Sequence, residues 1–207
     1  MPHAQFPCHY VYWVDVENHE TLKTKYLPII ENMKNINMDN RPFPQSRFNT
    51  NYSKFMDFLN VNDIENIVWT PIQKMINEIP IFKVINLNRK KLHITNYWYN
   101  NYNEHDNQEI HTHAENPKII NGKMYHPMFS LVYILNDPHN NSIVFNTGNT
   151  CEPYKKPFRI DNMDTADFEN IKDGTVLIFS SFLPHYVNTV KGNNRTTIAF
   201  NIFYDFD

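Results

Sequence analysis

"GTVLIFSSFLPHYVNTVKGNNRTTIAFNIFYDF", residues 174–206, holds two apolar, β-branched runs joined by a polar reversal. The first run follows a turn at Asp173 and Gly174 and continues to Phe179. The chain reverses around Pro184, His185 follows at once, and "KGNN" leads into a last run that opens with Arg195. Side chains of an extended chain alternate between two faces, so Arg195, Thr197, Ala199 and Asn201 share one side of that last strand. Thr196, Ile198, Phe200 and Ile202 share the other. Further back, "FSLVYIL" (129–135) and "SIVFN" (142–146) are short strands, stopped by "NDPHNN" and by a Pro-containing loop that runs to about 160. "FKVINLNRKKLHITNYWYNNY" (82–102) alternates β-branched and aromatic residues about a polar turn at 88–91. Several short strands with turns between them predict a sandwich or a barrel.

The first 90 residues are mixed, with helices prominent. The stretch 18–36 places Leu22, Tyr26, Ile29, Ile30 and Met33 on one helical face, with a kink or break expected at Pro28. In 70–79, Thr70 can cap a helix, Pro71 suits its first position and Gln73 completes a capping box. The stretch 40–55 reads as a loop. No internal repeat or domain-splitting linker is evident, so 1–207 reads as one domain, with 1–90 supporting the strands of 91–207.

Composition narrows the function. The 41% hydrophobic and 20% charged content is that of an ordinary globular chain. Four Gly against 13 Pro, with no G-x-G-x-x-G, disfavour a dinucleotide-binding fold. A net charge of -3 gives no general footprint for nucleic acid. Cys8 and Cys151 stand alone, so neither a zinc ribbon nor a disulfide framework is indicated. The start, "MPHAQFPCHY", lacks the basic and apolar regions of a secretion signal, and no apolar run approaches the roughly 20 residues a membrane span needs. The expected location is a reducing cytoplasm, with no membrane partner.

Two groups of residues carry chemistry. "IHTHAEN" (110–116) sets His111, His113 and Glu115 at alternate positions, where an extended chain would aim all three the same way. Two imidazoles and a carboxylate on one face suit a metal ion. The second group is Arg195 and Thr197. A guanidinium offers two parallel donors to a carboxylate, and a hydroxyl two residues away adds a third.

With these residues in place, the chain resembles the iron(II)/2-oxoglutarate-dependent oxygenases. The matching segments are "HAE" (113–115), "LPH" (183–185) and "RTT" (195–197), in that order. "FSLVYILND" and "GTVLIFSSFLPHYV" are also similar to the prolyl-hydroxylase-like branch and to small oxygenases often carried by phages. The resemblance covers roughly 92–206. It implies a mainly β fold with flanking helices, a double-stranded β-helix (a jelly roll, cupin-like). It further implies iron(II) on His113, Glu115 and His185, and 2-oxoglutarate anchored by Arg195 with Thr197. Oxygen would be the oxidant, succinate and carbon dioxide co-products, and ascorbate the reductant that maintains the iron. A tyrosine near the first metal histidine often reaches 2-oxoglutarate in this superfamily, and Tyr97, Tyr99 and Tyr102 are the candidates.

One departure from the family pattern leaves the ligand set open. The acidic position is Glu115 where Asp is commonest, and His111 has the same spacing to His113 that His113 has to Glu115. An all-histidine set of His111, His113 and His185 is therefore a second register, and three histidines with an open position are also the pattern of catalytic zinc. The alternatives are a metal-dependent cupin-type hydrolase or isomerase, and a jelly-roll binding module with a degenerate site. The resemblance points to a prolyl residue of a peptide or protein as substrate. Loops at 40–55, 116–128 and 147–170 would select it.

Overall fold

The structure is a computed structural model that describes residues 3–6, 9–33, 48–50, 58–146, 162–168 and 170–206. Cys8 and Cys151, most of the 40–55 loop, and residues 147–161 and 169 of the 147–170 loop lie outside the described residues. Strands β1 (His3–Phe6) and β2 (His9–Asp15) precede helix α1 (His19–Met33) and a two-residue strand, β3 (Asn49–Thr50). A helical stretch follows: α2 (Val61–Ile64), α3 (Thr70–Glu78) and α4 (Pro80–Val84). The chain then turns to strands: β4 (Leu92–Tyr102), β5 (Gln108–His111), β6 (Lys118–Ile120), β7 (Lys123–Asn136) and β8 (Ile143–Asn146). The last four are β9 (Asn162–Asp164), β10 (Thr175–Ser180), β11 (His185–Val187) and β12 (Arg195–Asp205).

Among the described residues all pairings are antiparallel and fall into two sheets. The larger runs β1-β2-β10-β7-β12-β4-β3, with β6 paired to β7; the smaller runs β5-β11-β8-β9. This is the double-stranded β-helix, a jelly roll of two facing sheets. The larger sheet is covered on both faces. Its outer side packs on the helices through Tyr26, Ile72, Met75, Tyr99, Phe129, Ile198 and Phe200. Its inner side meets the smaller sheet through Trp98, Val132, Phe145, Phe179 and Ala199. β12 lies between β7 and β4 and is buried along its whole length, and its two faces divide as alternation requires. The first 90 residues do more than support this sheet, because β2 hydrogen-bonds directly to β10 within it.

Local chemistry explains where the helices differ from expectation. Pro28 sits inside an unbroken α1, whose Leu22, Tyr26 and Ile30 face the core while Ile29 is exposed. Thr70 is not a cap. The helical stretch begins at Val61, where the Asn60 side chain accepts from Asp63 N–H, and passes through a π-helical turn at Glu65–Trp69. A proline inside a helix removes one N–H and crowds the carbonyl four residues back; a wider turn just before Pro71 relieves that clash. Residues 82–87 form no strand either. Pro80 opens α4, Asn86 takes a left-handed conformation (φ 51°), and Leu87 N–H reaches back to the Phe82 carbonyl at 2.9 Å, a helix stop.

The 116–128 loop is instead a β-hairpin. Asn121 (φ 52°) and Gly122 (φ 78°) form its two-residue turn, where both central positions need positive φ.

Candidate metal and carboxylate site

β5 and β11 are neighbours in the smaller sheet, with His111 directly opposite His185. His113 lies two residues past β5, fixed by its N–H to the Ser181 carbonyl at 2.9 Å. The ligand-type atoms of His111, His113 and His185 all fall within 4.8 Å of one another. The His113 and His185 Nε2 atoms are 3.3 Å apart. Two nitrogens each about 2.1 Å from one ion are separated by roughly 3.0–3.4 Å, so this spacing suits a shared metal.

The hydrogen bonds decide which nitrogens offer lone pairs. His185 Nδ1 is 3.0 Å from the Leu183 carbonyl and His111 Nδ1 is 2.8 Å from the Glu109 carbonyl. A carbonyl only accepts, so Nδ1 carries the proton in both rings and Nε2 is left as a donor to a metal. Burial favours the neutral rings. It holds all three histidines below their usual pKa, with His113 lowered to about 3 and its neighbour His111 adding to the effect. Trp98 stacks on His113, and Phe145 and Phe179 flank His185.

Glu115, expected as the third ligand, lies outside this cluster. Its carboxylate is held by Lys118 Nζ at 2.6 Å and by Asn201 Nδ2 at 2.5 Å. The cause is a break in the strand. β5 ends at His111, and Glu115 N–H bonds to the His113 carbonyl at 2.8 Å, closing a three-residue turn around Ala114. Alternation therefore runs from His111 to His113 and stops before Glu115. The structure brings together the all-histidine set.

The same cavity is lined by Arg195, Thr197, Asn100, Tyr102 and Trp98 together with the three histidines. Arg195 is 1% exposed and its Nε donates to Asp137 Oδ2 at 2.9 Å, while Nη1 and Nη2 are buried without a hydrogen-bond partner among the described residues. Its guanidinium lies 4.9 Å above the Tyr102 ring. Tyr102 is thus on the cavity side, whereas Tyr97 and Tyr99 face the helices. The Tyr102 hydroxyl donates to Gln108 Oε1 at 2.7 Å, which turns the Gln108 amide nitrogen toward His111 Nε2 at 3.3 Å, so that a metal on His111 would displace this amide from the Nε2 lone pair. This links the arginine end of the cavity to the histidine end. The free volume is about 20 Å³, room for little more than a water, so a larger guest requires side chains to move.

Asp137, Gln108 and Asn201 were not singled out from the sequence. Asp137 stood in "NDPHNN", where it read as a strand stop. Asn201 was already on the Arg195 face but had no visible partner.

No protein-family model matches the chain, and no curated protein matches it. Solved structures do. HygX from Streptomyces hygroscopicus, with nickel and 2-oxoglutarate bound, shares 14% identity, covering 95% of this chain and 83% of that one at a TM-score of 0.53. A prolyl-4-hydroxylase from Pseudomonas putida shares 10%, covering 97% and 95% at a TM-score of 0.51. An oxidoreductase of the 2OG-Fe(II) oxygenase family from Burkholderia pseudomallei shares 18%, and the chain spans about half of its length (64% of this chain, 55% of that one, TM-score 0.40). At these identities the likeness is one of fold.

Proposed function

We propose that this chain is an iron(II)- and 2-oxoglutarate-dependent dioxygenase that hydroxylates a C–H bond. The observation that carries the reading is Arg195, a buried cation with two unpartnered nitrogens in the cavity that three neutral imidazoles also line. A buried guanidinium left half-paired calls for an anion, and converging imidazole lone pairs call for a divalent ion. The donor sets fit both groups. His111, His113 and His185 would hold the iron; Arg195, with Thr197 and Tyr102 beside it, would take the remote carboxylate of 2-oxoglutarate. When both are bound, they supply the oxidation of a C–H bond by oxygen, with succinate and carbon dioxide as co-products.

The chain's own residues prepare that site. Nδ1 contacts to backbone carbonyls aim the Nε2 atoms of His111 and His185, and burial keeps the rings deprotonated. Asp137 fixes the Arg195 head through Nε and leaves the outer nitrogens for the guest. Trp98 and Phe179 form apolar walls against the imidazoles, keeping water from the reacting end.

For the substrate we take a prolyl residue of a peptide or protein, with ascorbate as the reductant. The Pseudomonas prolyl-4-hydroxylase supports this by fold, and "YILND" with the "LPH" to "RTT" spacing supports it by sequence. Exposed Ile119, Met124 and Phe182 would suit an extended apolar peptide. The HygX structure that holds hygromycin B marks the competing class, a non-peptide small molecule. The test is succinate formation from 2-oxoglutarate with iron(II) and ascorbate, across proline-rich peptides, amino acids and aminoglycosides. A 16 Da gain on proline is the expected product. Turnover with small molecules and none with any peptide would overturn the prolyl assignment and leave the dioxygenase.

The all-imidazole set also suits a zinc hydrolase. Such an enzyme has no use for the Arg195 nitrogens, so absence of 2-oxoglutarate binding to the metal-loaded protein would favour it.

A further inference from the structure

We propose that Asn141 is a positioning residue for the co-substrate: it holds the Asp137 carboxylate so that Arg195 keeps Nη1 and Nη2 for a guest carboxylate. This rests on the dioxygenase reading above. β7 ends at Asn136, which pairs with Thr196 of β12, so Asp137 stands beside Arg195 at the ends of the two strands. Beyond it "NDPHNN" (136–141) folds back on itself. Asn140 takes a left-handed conformation (φ 50°), its N–H bonds to the Asp137 carbonyl at 3.2 Å, and Asn141 is returned to the Asp137 side chain.

Asp137 is 3% exposed, and a buried carboxylate must have its oxygens satisfied. Oδ2 accepts from Arg195 Nε at 2.9 Å and from Asn141 N–H at 2.9 Å. Oδ1 accepts from Asn141 Nδ2 at 2.8 Å. The Asn141 amide spends its other groups on Lys191, in the turn that leads to Arg195: Nδ2 donates to the carbonyl at 3.2 Å and Oδ1 accepts from the N–H at 2.6 Å. Its nitrogen end faces two acceptors and its oxygen end one donor, so the amide fits only this way round.

The consequence lies at the guanidinium. Arginine and a carboxylate favour two parallel hydrogen bonds, so an unrestrained Asp137 would give Oδ2 to Nε and Oδ1 to an outer nitrogen. Asn141 already occupies Oδ1, and the ion pair stays at a single contact. Both outer nitrogens are thereby left without a hydrogen-bond partner among the described residues, on a side chain that lines the cavity. Asn141 is not needed merely to join the two turns, because Asn136 Nδ2 also ties them, donating to the Asn194 carbonyl at 2.5 Å.

The test is calorimetry of 2-oxoglutarate binding to the Co²⁺-loaded chain, as wild type, Asn141→Ala, Asp137→Asn, the double variant and Arg195→Ala, with Co²⁺ affinity measured separately by visible absorption. Asn141→Ala should weaken 2-oxoglutarate binding by about 10-fold, the low end for one charge-assisted hydrogen bond, and leave Co²⁺ affinity unchanged. An amide at position 137 has a single accepting end and cannot close the fork. In the Asp137→Asn background, Asn141→Ala should therefore have no further effect. Asn141→Asp, of the same shape but without the donating end, should weaken binding at least as much and serves if Asn141→Ala does not fold. Unchanged 2-oxoglutarate affinity in both Asn141 variants would overturn the proposal. So would a loss that persists in the Asp137→Asn background or is matched by a loss of Co²⁺ affinity, since either makes Asn141 a general support of the fold. If Arg195→Ala binds 2-oxoglutarate like the wild type, or the wild type does not bind it, the dioxygenase reading itself fails and takes the proposal with it.

Discussion

Arg195 is a cation held where water scarcely reaches it, and its environment makes two separate demands. The first is an anion for Nη1 and Nη2. A charge-assisted contact is worth about 1.5–3 kcal/mol, so Arg195→Ala should weaken 2-oxoglutarate binding by about 10- to 150-fold in calorimetry, with metal content unchanged. The second is the partner at Nε. Removing one member of a buried ion pair typically costs about 3–5 kcal/mol, because the other charge stays behind. Asp137→Ala should therefore lower the urea-unfolding free energy by an amount of that order, which would not be expected of an exposed aspartate. Among the histidines, His111→Ala should abolish stoichiometric metal binding, measured by elemental analysis after desalting. Glu115→Ala should retain it when loaded at saturating metal; the opposite result restores Glu115 to the ligand set.

Elements decide which of these residues meet. Had the extended chain continued from β5 through residue 115, the carboxylate would share the histidine face. The turn at Ala114 ends the alternation first, and only the pairing of β5 with β11 brings His111 and His185 together across 74 residues of sequence (185 − 111). The hairpin beyond it depends on Gly122. A side chain there would meet no neighbour within 4 Å, so any cost of substitution is conformational. A β-branched residue at positive φ is strained by about 1–2 kcal/mol, and Gly122→Val should reduce stability by that much in chemical denaturation. A value near zero would mean that the β6–β7 turn contributes little to the fold.

At the scale of the molecule, the site makes stability depend on pH. The folded chain holds His111, His113 and His185 below their ordinary pKa because burial disfavours the charged rings. As pH falls below about 6.5, the unfolded chain takes up these protons first and is stabilised relative to the fold. The metal-free protein should thus lose stability from about pH 6.5 downward, by up to about 1.4 kcal/mol per pH unit for each histidine. For His113 the loss should level off near pH 3, its folded value. Urea titrations at pH 7.5 and 5.5 measure this directly, and His113→Gln should reduce the pH dependence by about one proton. An identical dependence in that variant would mean that His113 is not held neutral by the fold.

Short apolar strands, the placement of Arg195 and Thr197 on the small-residue face, and the lone histidine after Pro184 were all legible in the chain. Each rests on an alternation of period two or on a single residue's chemistry, and such local rules need no partner to operate. Local rules also mislead where a neighbour outweighs them. Residues 82–87 alternate as a strand would, yet Pro80 and Asn86 make them a capped helix. Asn121-Gly122 was a turn signal in plain view, and its hairpin was legible in principle. That His111 and not Glu115 lies opposite His185, that Tyr102 and not Tyr97 or Tyr99 lines the cavity, and the contacts of Asp137 and Asn201 were not legible. Those depend on which strands lie side by side and on which ends of amides and imidazoles face each other. The sequence by itself determined the chemical groups and the faces they occupy. Tertiary structure decided which of them converge, because metal and carboxylate sites are assembled by contacts between strands far apart in the chain.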